Sequence, residues 1–176
     1  MNESLSGILL QTARLRIETL RAELFPDYCA IVCNSDTGLY DEEFPKSLED
    51  AYSAFLESIE RDPFSSDGWN EYGVFRDSGE LVGLLSHCEF GNEFEVTHMR
   101  MGYHFNPDFR GQGYATEAVA ALIDALFEQG SPRIECIVHP DNRPSLALLE
   151  RLNFRCTTFN ADCNELLYVA ERPSSF

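Results

Sequence analysis

A chain of 176 residues, 44% hydrophobic and 24% charged, carries enough apolar material for one domain with a substantial core and needs no second domain. Its formal net charge of −17 argues against nucleic acid and anionic membrane surfaces as partners and favours amine-bearing or basic ones, although plain solubility accounts for the same acidity. No apolar stretch approaches membrane-spanning length, and MNESLSGILLQTARLR lacks the basic segment and long apolar run of a signal peptide, so the expected compartment is the cytoplasm.

From Arg14 to Thr19, Leu15 and Ile17 alternate with Arg16 and Glu18, which predicts a short strand. Pro26-Asp27 starts a helical segment carrying Tyr28, Ile31 and Val32, and Asn34 to Pro45 reads as a loop. Ser47 with Asp50 opens a second helix that places Ala51, Phe55 and Ile59 on one face and ends near Asp62-Pro63. Between Asp36 and Asp62 there are nine acidic and two basic side chains. Residues 41–43 and the helix after them either line a pocket for a cationic substrate or form a solvated face.

Trp69 to Phe75 predicts a strand that turns at Asp77-Ser78-Gly79 into Glu80 to Phe90, and Gly91-Asn92 turns again into a third strand. Residues 69–105 therefore read as an antiparallel meander. The chain breaks at Asn106-Pro107, crosses Arg110-Gly111-Gln112-Gly113 and becomes helical from Tyr114, where Ala118, Ala121/Leu122 and Ala125/Leu126 form an apolar stripe. Arg133 to Val138 is a further strand, Asn142 caps a helix carrying Leu146, Leu149 and Leu152, and strands follow Phe154 and Asn164.

The glycine turn is the chemically informative stretch. A helix N-terminus presents N–H groups without intrahelical partners and the positive end of the macrodipole, and the glycines at 111 and 113 remove side chains that would block close approach. That combination suits a phosphate or pyrophosphate group, although a tight strand-to-helix connection uses the same residues. The cysteines at 29, 33, 88, 136, 156 and 163 form no Cys-x-x-Cys pair, and the histidines at 87, 98, 104 and 139 show no ligand spacing. No metal site is expected, and Cys136 within RIECIV reads as a small core residue.

Arg110-Gly111-Gln112-Gly113-Tyr114-Ala115 resembles the Gln/Arg-x-x-Gly-x-Gly/Ala signature of the GNAT superfamily of N-acetyltransferases. TARLRIETL resembles the opening strand of its ribosomal-protein (Rim-type) branch, and GELVGLL, MGYHFNPDFRGQGYATEAV and HPDNRPSLALLERLNF extend the resemblance over nearly the whole chain. It implies an α/β (α+β) GNAT fold in a single domain over residues 1–176: a mixed sheet of about six to seven strands, splayed between strands 4 and 5 and flanked by helices. It also implies acetyl-CoA as cosubstrate and a primary amine as acceptor, either a protein N-terminal amine or a small amine. A homodimer is left open.

By this resemblance the backbone of Tyr103, His104 and Phe105 holds the pantetheine arm, and the segment Arg110, Gly111, Gln112, Gly113, Tyr114 and Ala115 takes the pyrophosphate. Asn142 approaches the cofactor or only caps its helix, and Arg143 lies near the phosphates or in solvent. The family reaction is attack of an amine on the thioester, which needs a base for the ammonium, a donor for the oxyanion and an acid for the thiolate. The tyrosine that many members use as acid falls at Leu149, so that mechanism is absent, and Ser145 matches the proton donor of the Rim-type branch. Where relatives often carry a strand glutamate this chain has Arg100, so His98 and Glu89 become the base candidates. Asn153-Phe154 replaces Gly-Phe, and asparagine tolerates the left-handed turn required there.

Two other readings compete. Gly111-x-Gly113 followed by Glu135 is a near miss of a dinucleotide-binding fingerprint, with Thr116 at the third glycine position and a meander where a βαβ unit belongs. The lost glutamate and tyrosine also allow an acyl-CoA-binding sensor or assembly protein with this fold and little catalysis.

Overall fold

Alternating apolar residues build one sheet, and two pairs of helices cover its faces. The computed structural model describes residues 8–34, 40, 45–62, 68–92 and 95–172. Its strands are β1 (Ile8–Gln11), β2 (Leu15–Thr19), β3 (Asn70–Arg76), β4 (Leu81–Asn92), β5 (Glu95–Phe105), β6 (Arg133–Val138), β7 (Arg155–Asn160) and β8 (Glu165–Glu171). The helices are α1 (Phe25–Val32), α2 (Leu48–Glu60), α3 (Tyr114–Glu128) and α4 (Arg143–Arg151). The sheet has eight strands in the order β1-β2-β3-β4-β5-β6-β8-β7, and among the described residues only β5 and β6 pair in parallel. The strand beyond the expected six to seven is β1, a four-residue edge piece too short for a periodicity signal. Residues 41–43, read from sequence as an acidic pocket or a solvated face, lie outside the described residues.

Cross-strand register assigns each side chain to a face. Tyr72 opposes Leu85, which opposes Tyr103, and His87 opposes Met101. This face packs on α3 and α4 through Ala118, Val119, Leu122, Leu126, Leu148 and Leu149, all buried with Leu15, Ile17, Val74, Met99 and Ile134. Each such large side chain contributes about 1.5–3 kcal/mol on burial. The opposite face, carrying Phe75, Leu81 and Leu84, packs on Tyr28, Ile31 and Val32 of α1 and Ala51 and Phe55 of α2. Helix α2 begins where the Ser47 hydroxyl accepts the Asp50 N–H at 3.0 Å.

The turn after α4 keeps its geometry without glycine: Asn153 sits at φ 65°, and the Phe154 N–H donates to the Leu149 carbonyl at 3.0 Å. The parallel contact between β5 and β6 is brief. Met99 aligns with Ile134 and Arg100 with Glu135, after which β5 continues to Phe105 and β6 to Val138 with no register to each other. The sheet is therefore splayed there, at the position implied for strands 4 and 5 once β1 is added to the count. Among the described residues no helix is long and apolar enough to cross a membrane.

Two histidines are desolvated by this fold. His87 is 8% exposed, its Nε2 is 3.1 Å from the Tyr72 hydroxyl, and burial lowers its pKa to about 4. Burial lowers His104 likewise to about 4. The unfolded chain takes up these protons near pH 6.5, whereas the folded protein refuses them until about pH 4. Their contribution to stability is thus complete above pH 6.5 and falls as the pH drops toward 4, by about 1.4 kcal/mol per pH unit for each histidine. Denaturant unfolding at pH 7 and pH 5 should show lower stability at pH 5. His87→Gln should remove roughly 2 kcal/mol of that difference; an unchanged difference would exonerate His87.

Candidate active site

The segment between β5 and α3 is shaped by local rules. The Asn106 side chain accepts the Asp108 N–H at 3.0 Å and starts a 3₁₀ turn over Pro107–Phe109. Gly111 (φ 76°) and Gly113 (φ 81°) then adopt the left-handed conformation that other residues resist. Gly113 is the N-cap of α3 and has no side chain to cap it. The first-turn N–H groups of the helix are left to a ligand or to water. A Cβ on Gly111 would meet nothing within 4 Å, and one on Gly113 would meet only an Arg14 Nη at 3.4 Å, so the cradle is open. Gly111, Gln112 and Gly113 are exposed together with Arg110, whereas Tyr114 and Ala115 are half-buried.

The splay supplies the second part. The Asn106 N–H donates to the Val82 carbonyl at 3.0 Å, and hydrogen-bonding direction alternates along a strand. The backbone groups of His104 are therefore turned to β4, while those of Met101, Tyr103 and Phe105 face the opening toward β6. Of the three residues expected to hold a pantetheine arm, Tyr103 and Phe105 present main-chain groups there; His104 is spent within the sheet.

Across the opening, the Asn142 side chain accepts the Ser145 N–H at 3.2 Å and caps α4. Its capping role is thus occupied, and Arg143 beside it is exposed. Capping fixes the Ser145 hydroxyl 2.5 Å from the phenol of Tyr103. Burial pushes the Tyr103 phenol well above its ordinary pKa, the nearby Cys136 adds to this, and the Ser145 hydrogen bond pulls only partly back. Both hydroxyls therefore keep their protons at neutral pH. Sequence reasoning singled out Ser145 and the Tyr103 backbone but not the phenol, because the pairing joins residues 42 positions apart.

The closed end of the splay holds an ion cluster. Glu135 of β6, buried, meets Arg133 at 2.9 Å, Arg100 at 3.5 Å and His98 at 3.6 Å. The ring of Phe90 stacks on His98 at 4.6 Å, and the Arg100 guanidinium lies over the same ring at 4.8 Å. His98 precedes the paired residues, whereas Tyr103 lies five residues along β5, about 17 Å away at strand rise. Glu89 opposes Met99, so it shares neither the face of His98 nor the open end of the cleft. The two base candidates are brought together neither with each other nor with Ser145.

A half-buried carboxylate on β3 was not singled out from the sequence. Glu71 accepts the Ser58 hydroxyl of α2 at 2.6 Å. Burial raises its pKa, against the opposing pull of the Ser58 and Tyr28 hydroxyls. Among the described residues no group of three or more His, Cys, Asp or Glu side chains is arranged to hold a metal.

Residues 14–155 match the family described as acetyltransferase (GNAT) domain. The Bacillus subtilis (strain 168) protein called uncharacterized N-acetyltransferase YnaD is 31% identical over 91 residues, 51% of this chain and 52% of that protein. The chain spans about half the length of the curated relatives it matches. In fold it is similar to the GNAT-family acetyltransferase from Bacillus anthracis, with a TM-score of 0.79 at 22% identity over 92% of this chain and 97% of that one. It is also similar in fold to RimL, a ribosomal L7/L12 alpha-N-protein acetyltransferase, with a TM-score of 0.75 at 18% identity over 93% of each chain.

The open cradle at the start of α3 makes a defined demand on position 113. Gly113→Val places a β-branched residue at φ 81° and a side chain over the helix terminus. In calorimetric titration it should weaken acetyl-CoA binding by about a hundredfold or more while the protein still melts cooperatively. Retained affinity would remove the loop from the binding site.

Proposed function

Because the chain belongs to the GNAT acetyltransferase family, we propose that it is an acetyl-CoA-dependent N-acetyltransferase acting on a primary amine. The observation that carries this reading is the Tyr103–Ser145 hydroxyl pair, set inside a splay whose one end meets the ion cluster and whose other end opens toward the α3 cradle. The residues present fit the cosubstrate: the uncapped, glycine-flanked start of α3 suits its diphosphate, and the main-chain groups of Tyr103 and Phe105 suit the amide-bearing arm. Bound acetyl-CoA supplies the thioester whose acetyl group is transferred.

The chain's own part is to position and to supply protons. Backbone N–H groups of β5 that face the opening are the donors available to a developing oxyanion. Ser145 donates a hydrogen bond to the leaving sulfur, and Tyr103, which remains protonated, donates in turn to Ser145. With His98 and Glu89 at the closed end, the reading gives the ammonium proton to water. The resemblance of the fold to RimL supports a protein N-terminus as acceptor. The acidity of the chain supports cationic acceptors generally.

Steady-state kinetics with an amine and N-terminal-peptide panel tests the reading. Ser145→Ala and Tyr103→Phe should each lower kcat by about ten- to a hundredfold while acetyl-CoA affinity stays within about twofold. An unchanged kcat in both variants would remove the hydroxyl pair from the reaction. Tight acetyl-CoA binding with no turnover of any amine would favour a binding protein over an enzyme.

A further inference from the structure

The opening TARLR segment interacts with the cradle in a way that neither the family signature nor the expected site residues include. Arg14, in the turn between β1 and β2, is 49% exposed at its side chain and reaches across to the start of α3. Its Nε donates to Glu117 Oε2 at 2.7 Å, Nη2 meets the same oxygen at 2.6 Å, and Nη1 donates to the Gln112 carbonyl at 3.0 Å. Its backbone N–H also binds Glu117 Oε1 at 3.0 Å, where the Thr12 hydroxyl donates at 2.6 Å. Burial pushes the Glu117 carboxyl upward, but the Thr12 and Arg14 hydrogen bonds and the guanidinium charge outweigh it and hold the pKa below the ordinary range. Glu117 is therefore a fixed anion, and it fixes the guanidinium.

The arginine fork has five N–H groups. With one hydrogen on each nitrogen engaged as above, one on Nη1 and one on Nη2 remain, at a guanidinium whose Nη2 lies 3.4 Å from where a Gly113 Cβ would stand. The face of the group is supported by the Tyr114 ring, 4.8 Å from Cζ. A rigid, half-exposed fork with two donors beside an uncapped helix terminus is matched to phosphate oxygens. The whole-chain field makes the need concrete, because a polyanionic ligand must approach a protein of net charge −17.

We infer that Arg14 is a diphosphate-binding residue: held by Glu117 and the Gln112 carbonyl, it presents its remaining N–H groups to the diphosphate at the Gly113 end of the cradle. The inference rests on the reading of that loop as the acetyl-CoA diphosphate site. It also assigns Glu117 and Thr12 as positioning residues that act through Arg14.

The test is equilibrium binding of acetyl-CoA and of acetyl-pantetheine, which lacks the diphosphate and nucleotide, measured by titration calorimetry from low to high salt. For wild type, acetyl-CoA should bind far more tightly than acetyl-pantetheine and weaken with salt. Arg14→Gln should lose about ten- to a hundredfold in acetyl-CoA affinity, flatten the salt dependence, and leave acetyl-pantetheine within about twofold. Arg14→Lys, which keeps the charge and gives up the fork, should retain the salt dependence, and it decides the matter if the Gln variant does not fold. Unchanged acetyl-CoA affinity in Arg14→Gln, equal weakening of both ligands, or a Lys variant with the flat salt response of Arg14→Gln would overturn the inference. A wild type that does not discriminate the two ligands would instead overturn the diphosphate reading of the loop.

Discussion

The site depends on where two parallel strands stop touching. Strands β5 and β6 share the Met99–Ile134 and Arg100–Glu135 registers and then diverge, so the sheet has an opening in its interior where, among the described residues, main-chain groups of β5 face no register partner in β6. Unpaired groups inside a sheet are costly unless something answers them, which is why such a gap reads as a ligand site. The two strands are held together at the closed end of the gap by charge. Glu135 gathers Arg133, Arg100 and His98 and ties β6 to β5 at the last paired position. The arginine that replaces the expected strand glutamate is thus a fastening between strands, and a carboxylate for it to hold is supplied from the neighbouring strand.

Charge and neutrality are segregated around that gap. The ion cluster occupies one end, the arginine-lined cradle lies at the start of α3, and between them the reacting centre is assigned to two neutral hydroxyls. Burial sustains this arrangement: the same desolvation that keeps His87 and His104 uncharged keeps the Tyr103 phenol protonated. A charged residue beside the thioester would be exposed to the fields of both neighbours, whereas a hydroxyl pair that keeps its protons stabilises a departing sulfur by hydrogen bonding alone.

Most of the fold was legible because its signals are local. The stripe of α3, the Ser47 and Asn142 caps and the boundaries of β6 all follow from residues within one turn or one strand of each other. The left-handed Asn153 was legible for the same reason. The features that escaped are cross-chain juxtapositions. Nothing near Arg14 announces Glu117, Tyr103 gives no sign that its hydroxyl reaches Ser145, and Glu71 looks like any strand glutamate until Ser58 and Tyr28 close over it. Strand register also decided what motif matching left undivided. It turned the backbone of His104 away from the opening, and it placed Glu89 opposite Met99, on the other face of the sheet from His98.

The grip of Arg14 on Glu117 has a consequence for how the protein breathes. The two residues are 103 positions apart, so the contact closes a long loop and forms only after the intervening strands and helices are in place. Its N-terminal side is an edge hairpin, and β1 pairs with nothing except β2 among the described residues. Edge hairpins fray more readily than central strands. Fraying there would slacken the Gln112 peptide and the start of α3 together, so the fraction of time the hairpin is docked scales the apparent affinity of the cradle. Ligand capture would in turn protect the hairpin, making amide exchange in β1 and β2 a remote reporter of occupancy at a helix end far along the chain.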